Sequence, residues 1–278
     1  MIGHPIAHSR SPLIHGHWLK TLGLDGSYER IDVSPDALAD FVSSFASRGF
    51  VGGNVTVPHK ETVFALLKED GHELSPTARR LGAVNTLALR DDGRLLGHNT
   101  DGAGFVGSVD EAVEAVWETG CRQALVIGAG GAARAIVGAL LDRGIPHILV
   151  ANRTVEKARA LVGFGPGRIE AVSLDEAKDR LAGTDLLVNT TTLGMKGQGS
   201  LDLDLTGLPD NAIVADIVYV PAVTPLLAAA AARGLRTVGG LGMLLHQAVP
   251  GFELWFGKRP VVDGALRAIV EADIGASA

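Results

Sequence analysis

The 278-residue sequence predicts an α/β protein with two lobes, and three observations support this prediction. Short apolar runs alternate with helical segments in the middle of the chain, which is typical of a parallel sheet covered on both faces. A glycine-rich turn over residues 128–133 separates one of these runs from an apolar helix. The first hundred residues instead show polar loops and alternating strands. At about 100–200 residues per domain, a chain of this length has room for two.

In the first lobe, each expected element has a local signal. Pro12 suits the first turn of a helix, Ser34 with Pro35 marks a helix start, and Pro58 ends a strand. A polar turn at residues 91–93 predicts a pair of strands on either side of it. The expected order is a very short first strand, a helix after Pro12, a strand over 28–33, a helix over 37–47, a strand over 50–57, a helix through residue 67, and strands over 83–89 and 94–97.

In the second lobe, short and fully apolar runs predict buried strands, and the segments between them predict helices. The motifs change near residue 101, and we place the lobe boundary there because no low-complexity linker marks it. The expected order is a helix over 105–117, strands over 124–127, 148–151, 186–188 and 212–215, and final helices over 242–257 and 264–270.

Composition excludes several classes of protein. Hydrophobic residues make up 46% and charged residues 20% of the chain, which rules out a disordered protein. The net charge of −6 argues against a nucleic-acid partner. Cys121 is the only cysteine, and the nine histidines show no metal-ligand spacing, so we expect no bound metal. The longest apolar run is far too short for a membrane helix, and we expect a cytoplasmic protein.

The glycine-rich turn matches the pattern G-x-G-x-x-G/A between a strand and a helix, which is typical of dinucleotide binding. Gly128 permits the tight turn, Gly130 allows a pyrophosphate to approach the backbone, and Ala133 allows close helix–strand packing. The alternative is a glycine-rich turn with no ligand. The position of the turn after an apolar strand favours the binding site.

The cofactor preference is predicted from the end of the next strand. A site for NAD usually has an acidic residue near position 152, where this chain has Asn152 followed by Arg153. Arg153 and Lys157 suit the 2′-phosphate of NADP, and cations at a helix start are otherwise unfavourable by about 0.3–1 kcal/mol. The alternative is that both are ordinary solvated residues.

Polar clusters in the first lobe are candidates for a substrate site. Ser9 and Ser11 lie at a helix entrance, where hydroxyl and N–H groups can hold a carboxylate, although Ser11 is equally suited to a plain N-cap. Lys60 and Asp101 can share hydroxyl binding and proton transfer, with a surface salt bridge as the alternative. A further polar loop, Asn189 to Met195, follows an apolar strand, which is where open α/β sheets bind ligands.

Taken in this order, the motifs resemble the shikimate dehydrogenase family over nearly the whole chain. The matching segments are GHPIAHSRSP at 3–12, GGNVTVPHKE at 52–61, GAVNTL at 82–87, GHNTDGAGF at 97–105, VIGAGGAARA at 126–135, NRT at 152–154, NTTTLGM at 189–195 and GLGMLLHQA at 240–248. The resemblance implies NADP-linked interconversion of shikimate and 3-dehydroshikimate, a step toward aromatic amino acids. It also implies a Rossmann-type NADP domain over 102–240 and a substrate domain over 1–101 that includes helices within 241–278.

The resemblance also implies residue roles. Lys60 and Asp101 form the catalytic pair, and Ser9 and Ser11 bind the substrate carboxylate. The remaining substrate residues are Thr56, Asn85, Tyr219 and Gln247. The cofactor residues are Gly128, Ala129, Gly130, Gly131, Ala132, Asn152, Arg153, Thr154, Lys157, Thr190, Gly242 and Met243.

Two alternatives remain beside a dedicated shikimate dehydrogenase. One is a broader quinate/shikimate dehydrogenase with NAD as an alternative cofactor, and the Arg153 cluster argues against the use of NAD. The other is a catalytically silent NADPH-binding regulator, which would be expected to lack Lys60 or Asp101, and both are present. We expect a small-molecule substrate, no nucleic-acid or membrane partner, and a monomer or a homodimer.

Overall fold

The computed structural model describes residues 1–113 and 120–277. The chain divides into two compact units. Unit 1 contains Met1–Thr100 and Gln247–Ser277, and unit 2 contains Asp101–His246. Residues 241–246 group with unit 2, whereas the sequence placed them with the final helices of the first lobe. Asp101 is the first residue of unit 2.

Unit 1 contains six strands. β3, β5 and β6 form an antiparallel arrangement, β4 lies parallel to β6 at one edge, and β1 pairs in parallel with β2. An isolated parallel bridge joins Ile2 to Val55, which follows β3. The strands are β1 (Ile2–Gly3), β2 (Ile31–Asp32), β3 (Gly52–Asn54), β4 (Glu73–Leu74), β5 (Thr86–Leu89) and β6 (Leu95–His98).

The helices of unit 1 come from both ends of the sequence. Trp18 of the first helix donates from its indole N–H to the carbonyl of Val261 at 2.9 Å, and Trp255 donates to the carbonyl of Leu87 at 2.7 Å. These bonds join the C-terminal helices to the first hundred residues. The helices are α1 (Ser11–Thr21), α2 (Leu38–Ser43), α3 (Lys60–Glu69), α4 (Pro76–Leu81), α11 (Ala248–Phe256) and α12 (Gly264–Ser277).

Unit 2 is built on a six-stranded parallel sheet in the order β12-β11-β10-β7-β8-β9. The chain starts in the middle at β7, moves outward to β9, and returns to the other side at β10. The point between β7 and β10 is therefore where the order reverses, and open sheets bind ligands there. The strands are β7 (Gln123–Ile127), β8 (His147–Ala151), β9 (Ile169–Val172), β10 (Leu186–Asn189), β11 (Ile213–Asp216) and β12 (Arg236–Val238).

Alternate residues of these strands pack into two separate cores, so both faces of the sheet are buried. Ala124 and Val126 belong to one core with α5 and α6, and Leu125 and Ile127 belong to the other. This explains why the strands are uniformly apolar. The helices are α5 (Asp101–Ala112), α6 (Gly131–Asp142), α7 (Val155–Val162), α8 (Leu174–Lys178), α9 (Pro225–Ala232) and α10 (Gly240–His246). Among the described residues, none of the helices is long and apolar enough to span a membrane.

Several predicted elements are shorter in the structure or divided. The strand expected over 28–33 contains only Ile31–Asp32, because β1 offers two residues for pairing. The strand expected over 50–57 is limited to Gly52–Asn54. The helix expected over 37–47 is helical over Leu38–Ser43 with a 3₁₀ turn on each side, and the Ser44 hydroxyl donates to the carbonyl of Asp40 near its end.

At the other end of the chain, the helix expected over 242–257 is two helices, α10 and α11, that meet at Gln247. The helix expected over 105–117 starts earlier, at Asp101, and residues 114–117 of that prediction lie outside the described residues. The final helix continues beyond residue 270 to Ser277. The short helix α4 was not predicted, although Ser75 before Pro76 is a start signal and its hydroxyl accepts from the N–H of Ala78.

Candidate active site

The two predicted carboxylate-binding serines lie where α1 begins. Ser11 is the first residue of the helix, and the N-cap is Arg10, whose side chain makes no capping bond. The plain N-cap alternative therefore does not describe Ser11. Its N–H donates to the hydroxyl oxygen of Ser9 at 3.3 Å. The first turn of α1 contains no acidic side chain, so its N–H groups and the partial positive charge of the helix favour an anion.

Lys60 is the first residue of α3, and its backbone is held on both sides. His59 before it is buried, and a ring nitrogen of His59 lies 2.7 Å from the carbonyl oxygen of Val33. The carbonyl of Lys60 accepts from the N–H of Val84 at 2.9 Å. Thr56 is fixed in turn, since its N–H donates to Ile2 and its carbonyl accepts from His59. A cation at a helix start is electrostatically unfavourable, so local folding does not explain a lysine there.

Asn85 connects two of the predicted motifs. It follows Val84, and its side-chain oxygen accepts from the N–H of Thr100 at 2.9 Å, while its amide donates to the Thr100 hydroxyl at 3.1 Å. Both residues are almost fully buried. Thr100 is followed directly by Asp101, which begins α5. Gln247, also in unit 1, precedes α11 and makes no capping bond with its side chain.

The glycine turn occupies the switch point of the parallel sheet. Gly128 has φ +110°, and a Cβ there would lie 2.4 Å from the Thr190 hydroxyl, so only glycine fits. Gly130 is the N-cap of α6, and no described atom lies within 4 Å of where its Cβ or that of Gly131 would be. Ala129 and Ala132 flank them. The turn therefore presents N–H groups at a helix start beside open space, which fits a pyrophosphate.

The predicted adenosine-end residues form the loop between β8 and α7. Thr154 is the N-cap of α7, and the Asn152 amide donates to the carbonyl of Thr154 at 2.8 Å. Arg153 and Lys157 are exposed. The loop follows the strand adjacent to β7, where a dinucleotide ribose is held in this kind of sheet.

Asp216, which the sequence analysis missed, ties together two loops at the carboxyl ends of β10 and β11. Its carboxylate accepts from the Asn189 amide at 3.0 Å, the N–H of Val218 at 3.0 Å and the Thr224 hydroxyl at 2.7 Å. Burial raises the pKa of Asp216, and these hydrogen bonds offset part of the rise. Asn189 begins the predicted cofactor loop, and Tyr219 lies next to Val218, so Asp216 holds both segments. A carboxylate directly after an apolar strand was the available signal.

Within the same network, Thr190 and Asn189 shape the start of the cofactor loop. The Thr190 hydroxyl donates to the carbonyl of Ile127 at 2.7 Å, beside Gly128. The Asn189 oxygen accepts from the N–H and the hydroxyl of Thr191. Thr190 therefore fixes the loop against the glycine turn.

Gly242 and Met243 lie on α10, which packs against α5. A Cβ on Gly242 would lie 2.1 Å from the Ser108 hydroxyl, and one on Gly107 would lie 3.0 Å from the His246 ring. His246 is also held by Glu111 of α5, at 3.1 Å. Gly242 thus has a packing reason to be glycine. Met243 is partly buried against the core that contains α5 and α6.

The structure brings the predicted residues together in groups within each unit. In unit 1, backbone and amide bonds link the segments containing Thr56, Lys60, Asn85 and Thr100, and Ser9 and Ser11 lie together at α1. In unit 2, the glycine turn and Thr190 are in contact, and Asp216 holds the segment of Tyr219. Among the described residues, no cluster of histidine, cysteine or acidic side chains has the arrangement to hold a metal ion.

The sheet order and the glycine turn at its switch point place unit 2 in the dinucleotide-binding class of α/β folds, which nicotinamide-dependent dehydrogenases use. Family models match the chain in three parts: the shikimate dehydrogenase substrate binding domain over residues 1–87, shikimate / quinate 5-dehydrogenase over 110–194, and the shikimate 5′-dehydrogenase C-terminal domain over 240–269. The chain belongs to the shikimate dehydrogenase family, which confirms the predicted resemblance and fold class.

Relatives and solved structures agree with this assignment. The chain is 56% identical over 275 residues to shikimate dehydrogenase (NADP(+)) of Methylobacterium radiotolerans, covering 99% of this chain and 96% of that protein. It is 53% identical to the Azorhizobium caulinodans enzyme of the same name, with coverage of 99% and 96%.

Among solved structures, quinate dehydrogenase from Corynebacterium glutamicum in complex with NAD matches with a TM-score of 0.88 at 32% identity, covering 98% of this chain and 97% of the other. Shikimate 5-dehydrogenase from Thermus thermophilus, in complex with NADP(H) and shikimate, matches with a TM-score of 0.83 at 37% identity and the same coverage.

Proposed function

We propose that this chain is an NADP-dependent dehydrogenase that interconverts shikimate and 3-dehydroshikimate. In this assignment unit 1 takes most of the substrate contacts and unit 2 takes the cofactor. The enzyme acts in the cytoplasm as a monomer or homodimer, which size-exclusion chromatography with light scattering tests. The names of the relatives support NADP as the cofactor, and so does Arg153 in the loop after β8.

One observation carries the proposal. Val84 holds the backbone of Lys60, and Asn85, the next residue, holds Thr100, which precedes Asp101. Three segments far apart in sequence are thus joined by short hydrogen bonds inside unit 1. A site that holds a polyol and moves a proton needs such fixed positions, because small displacements of the reacting groups cost large factors in rate.

The chemistry follows from the substrate. The cofactor NADP⁺, held by the glycine turn and the loop after β8, would supply the acceptor for a hydride, which is the hydrogen of the C–H bond together with both bonding electrons. The hydroxyl on the same carbon must lose its proton as its oxygen becomes a carbonyl, and an alcohol is too weak an acid to lose it to water unaided. We assign the transfer of this proton to Lys60. Asp101 orients Lys60 and accepts a hydrogen bond from the neighbouring hydroxyl.

The remaining residues hold the two ligands. Ser9 and Ser11, with the N–H groups at the start of α1, bind the substrate carboxylate. Thr56, Asn85, Tyr219 and Gln247 bind other parts of the substrate. The turn from Gly128 to Ala132, with Thr190, binds the pyrophosphate side of the cofactor, and Asn152, Arg153, Thr154 and Lys157 bind the adenosine end. Gly242 and Met243 lie at the nicotinamide side.

A broader quinate/shikimate dehydrogenase that uses NAD is the second candidate. The structural similarity to quinate dehydrogenase in complex with NAD favours it. Against it, the loop after β8 has Arg153 and no acidic residue at position 152, where a free ribose 2′-hydroxyl would be held. Steady-state kinetics with shikimate and quinate, each with NADP and NAD, separates the candidates. Dominant turnover of quinate with NAD would replace the first with the second.

The catalytic assignment is tested with two lysines of the same helix. Lys60→Ala is expected to lower kcat by about 10²–10⁴ with a much smaller change in KM, because it removes a proton-transfer group. Lys68→Ala, at the exposed far end of α3, is the matched control and is expected to keep wild-type kinetics. Near-normal turnover by folded Lys60→Ala would refute the assignment, and loss of activity in both variants would point to damage of the helix.

A further inference from the structure

A continuous chain of hydrogen bonds, buried along most of its length, runs through unit 1, and the proposed function uses only its Asn85–Thr100 end. The Tyr28 hydroxyl donates to the Asn54 oxygen at 2.6 Å, and the Asn54 amide donates to the Thr86 hydroxyl at 3.1 Å. The Thr86 hydroxyl lies 2.7 Å from the side-chain oxygen of Asn85, which also accepts from Thr100. We call these residues, Tyr28, Asn54, Thr86, Asn85 and Thr100, the polar relay.

The relay is buried along most of its length. Asn54, Asn85, Thr86 and Thr100 are each at most 4% exposed. Buried polar groups destabilise a fold unless they are bonded, and apolar side chains would fill the same space without that risk. A core of apolar residues would therefore serve stability at least as well. Packing alone therefore does not explain why these buried residues are polar.

One end of the relay lies at α1. The Tyr28 ring stacks on His15 of α1, with ring centroids 4.1 Å apart and planes 15° from parallel. Burial raises the pKa of Tyr28. Tyr28 therefore contacts α1 through its ring.

Burial fixes the charge state of the His15 ring in this stack. Its ring is fully buried, and burial lowers the pKa of His15 to about 3. The ring is neutral at physiological pH, so it packs beneath the phenol as an aromatic surface and not as a cation. Trp18 and Phe252 close the same cluster, with ring centroids 5.6 and 6.0 Å from His15. The Tyr28 ring therefore has little freedom, and its hydroxyl stays directed toward Asn54.

The other end of the relay lies at Asn85 and Thr100, which precede Asp101 in the chain. The relay thus joins the segment that we assign to the substrate carboxylate to the segment that we assign to the ring hydroxyls. We propose that Tyr28 is a positioning residue of the substrate site. Its ring stacks on His15 of α1 and its hydroxyl bonds to Asn54, so it holds the start of α1, with Ser11, relative to Asn85. This inference rests on the proposed function, because it concerns the same substrate.

Tyr28→Phe tests the inference, since it keeps the ring and its stack and removes only the hydroxyl. The KM for shikimate is expected to rise about three- to tenfold, which is the effect of one neutral hydrogen bond. The KM for NADP⁺ is expected to stay within twofold of wild type, because the cofactor residues lie in unit 2.

The matched control is Ser75→Ala. Ser75 lies in unit 1 outside the relay, caps α4, and its hydroxyl is 2.7 Å from a ring nitrogen of His98. This variant loses comparable buried bonds and is expected to have a lower melting temperature with an unchanged KM for shikimate. A rise in KM for both variants would mean that general loosening of unit 1, and not Tyr28, changes the affinity.

A double-mutant cycle with Ser11→Ala shows whether Tyr28 acts through Ser11. Once the Ser11 hydroxyl is absent, Tyr28→Phe is expected to have less than twofold further effect on the KM for shikimate. Independent, multiplying effects would overturn the inference, as would an unchanged KM in the single variant Tyr28→Phe. If the wild-type protein does not oxidise shikimate at all, the proposed function fails and the inference with it. Wild-type turnover with multiplying effects refutes the inference alone.

Discussion

Acid is expected to destabilise unit 1 through His15. In the folded protein, burial lowers the pKa of this ring from 6.5 to about 3, with the N-terminal ammonium adding to the shift. Between about pH 6.5 and pH 3, His15 binds a proton in the unfolded chain but not in the folded chain. Stability is therefore complete above about pH 6.5 and falls as the pH moves down toward 3.

The size of the effect follows from the shift. A difference of about 3.5 pKa units corresponds to about 5 kcal/mol for the whole titration, since each unit is about 1.4 kcal/mol. Only part of this is lost near neutrality. Between pH 7 and pH 5, the proton uptake of the unfolded chain costs about 2 kcal/mol, a large fraction of the stability of a typical domain.

Urea unfolding followed by tryptophan fluorescence measures the loss, because Trp18 and Trp255 lie next to the ring. The comparison is His15→Leu, which has nearly the same volume and no charge to gain. The wild-type protein is expected to lose about 2 kcal/mol more than this variant between pH 7 and pH 5.

The N-terminal ammonium, whose pKa burial lowers to about 5, titrates in both proteins, so most of its contribution cancels in the difference. His147→Gln is the control, since His147 is exposed at the start of β8. It is expected to follow the wild-type pH dependence. Equal pH dependence in wild type and His15→Leu would refute the reasoning.

Three further predictions concern unit 2. Arg153→Ala is expected to raise the KM for NADP about 10- to 100-fold more than the KM for NAD, since it removes a charged hydrogen bond to the 2′-phosphate. Equal changes in the two KM values, measured by steady-state kinetics, would contradict this prediction. Thr224→Ala removes both the cap of α9 and a bond to the buried Asp216 at the end of β11, so urea unfolding should show a loss of about 2 kcal/mol in the free energy of unfolding. A loss under about 0.5 kcal/mol would count against this reasoning. Gly242→Ala is expected to lower the free energy of unfolding by about 1–3 kcal/mol, because the added methyl group overpacks the contact with α5. Gly16→Ala on α1 places its methyl group in open space and is expected to raise the free energy of unfolding by up to about 1 kcal/mol. Similar melting temperatures for the two variants would contradict this prediction.

The sequence predicted four of the six strands of unit 2, because their signals are local and strong, and it missed the edge strands β9 and β12. A strand buried on both faces must be apolar throughout, and β7, β8, β10 and β11 are. In unit 1, β2 and β3 were overestimated. Their length depends on how many residues the neighbouring strand offers, and β1 offers two. Pairing of this kind joins distant parts of the chain and leaves no periodic mark in the sequence.

The candidate site could likewise be predicted only in part. The glycine turn and the segments of Lys60 and Asp101 could be predicted, because each has a motif. Tyr28 and Thr86 could not, since a single polar residue in an apolar surrounding has the same appearance whether it ends a strand or joins a network. Their roles depend on a partner distant in the sequence, because Asn54 lies 26 positions from Tyr28 and 32 positions from Thr86.

The interrupted sequence of unit 1 has a consequence for synthesis of the chain. Residues 1–100 leave the ribosome well before α11 and α12, and at about 5–20 residues per second the delay is about 7 to 30 s. During that time the indole N–H of Trp18 has no Val261 carbonyl, and the carbonyl of Leu87 has no Trp255. Unit 2 is contiguous and can complete its own fold first. A nascent chain released after residue 246 would therefore contain a finished nucleotide-binding sheet beside an open, aggregation-prone N-terminal segment, the kind of species that chaperones bind.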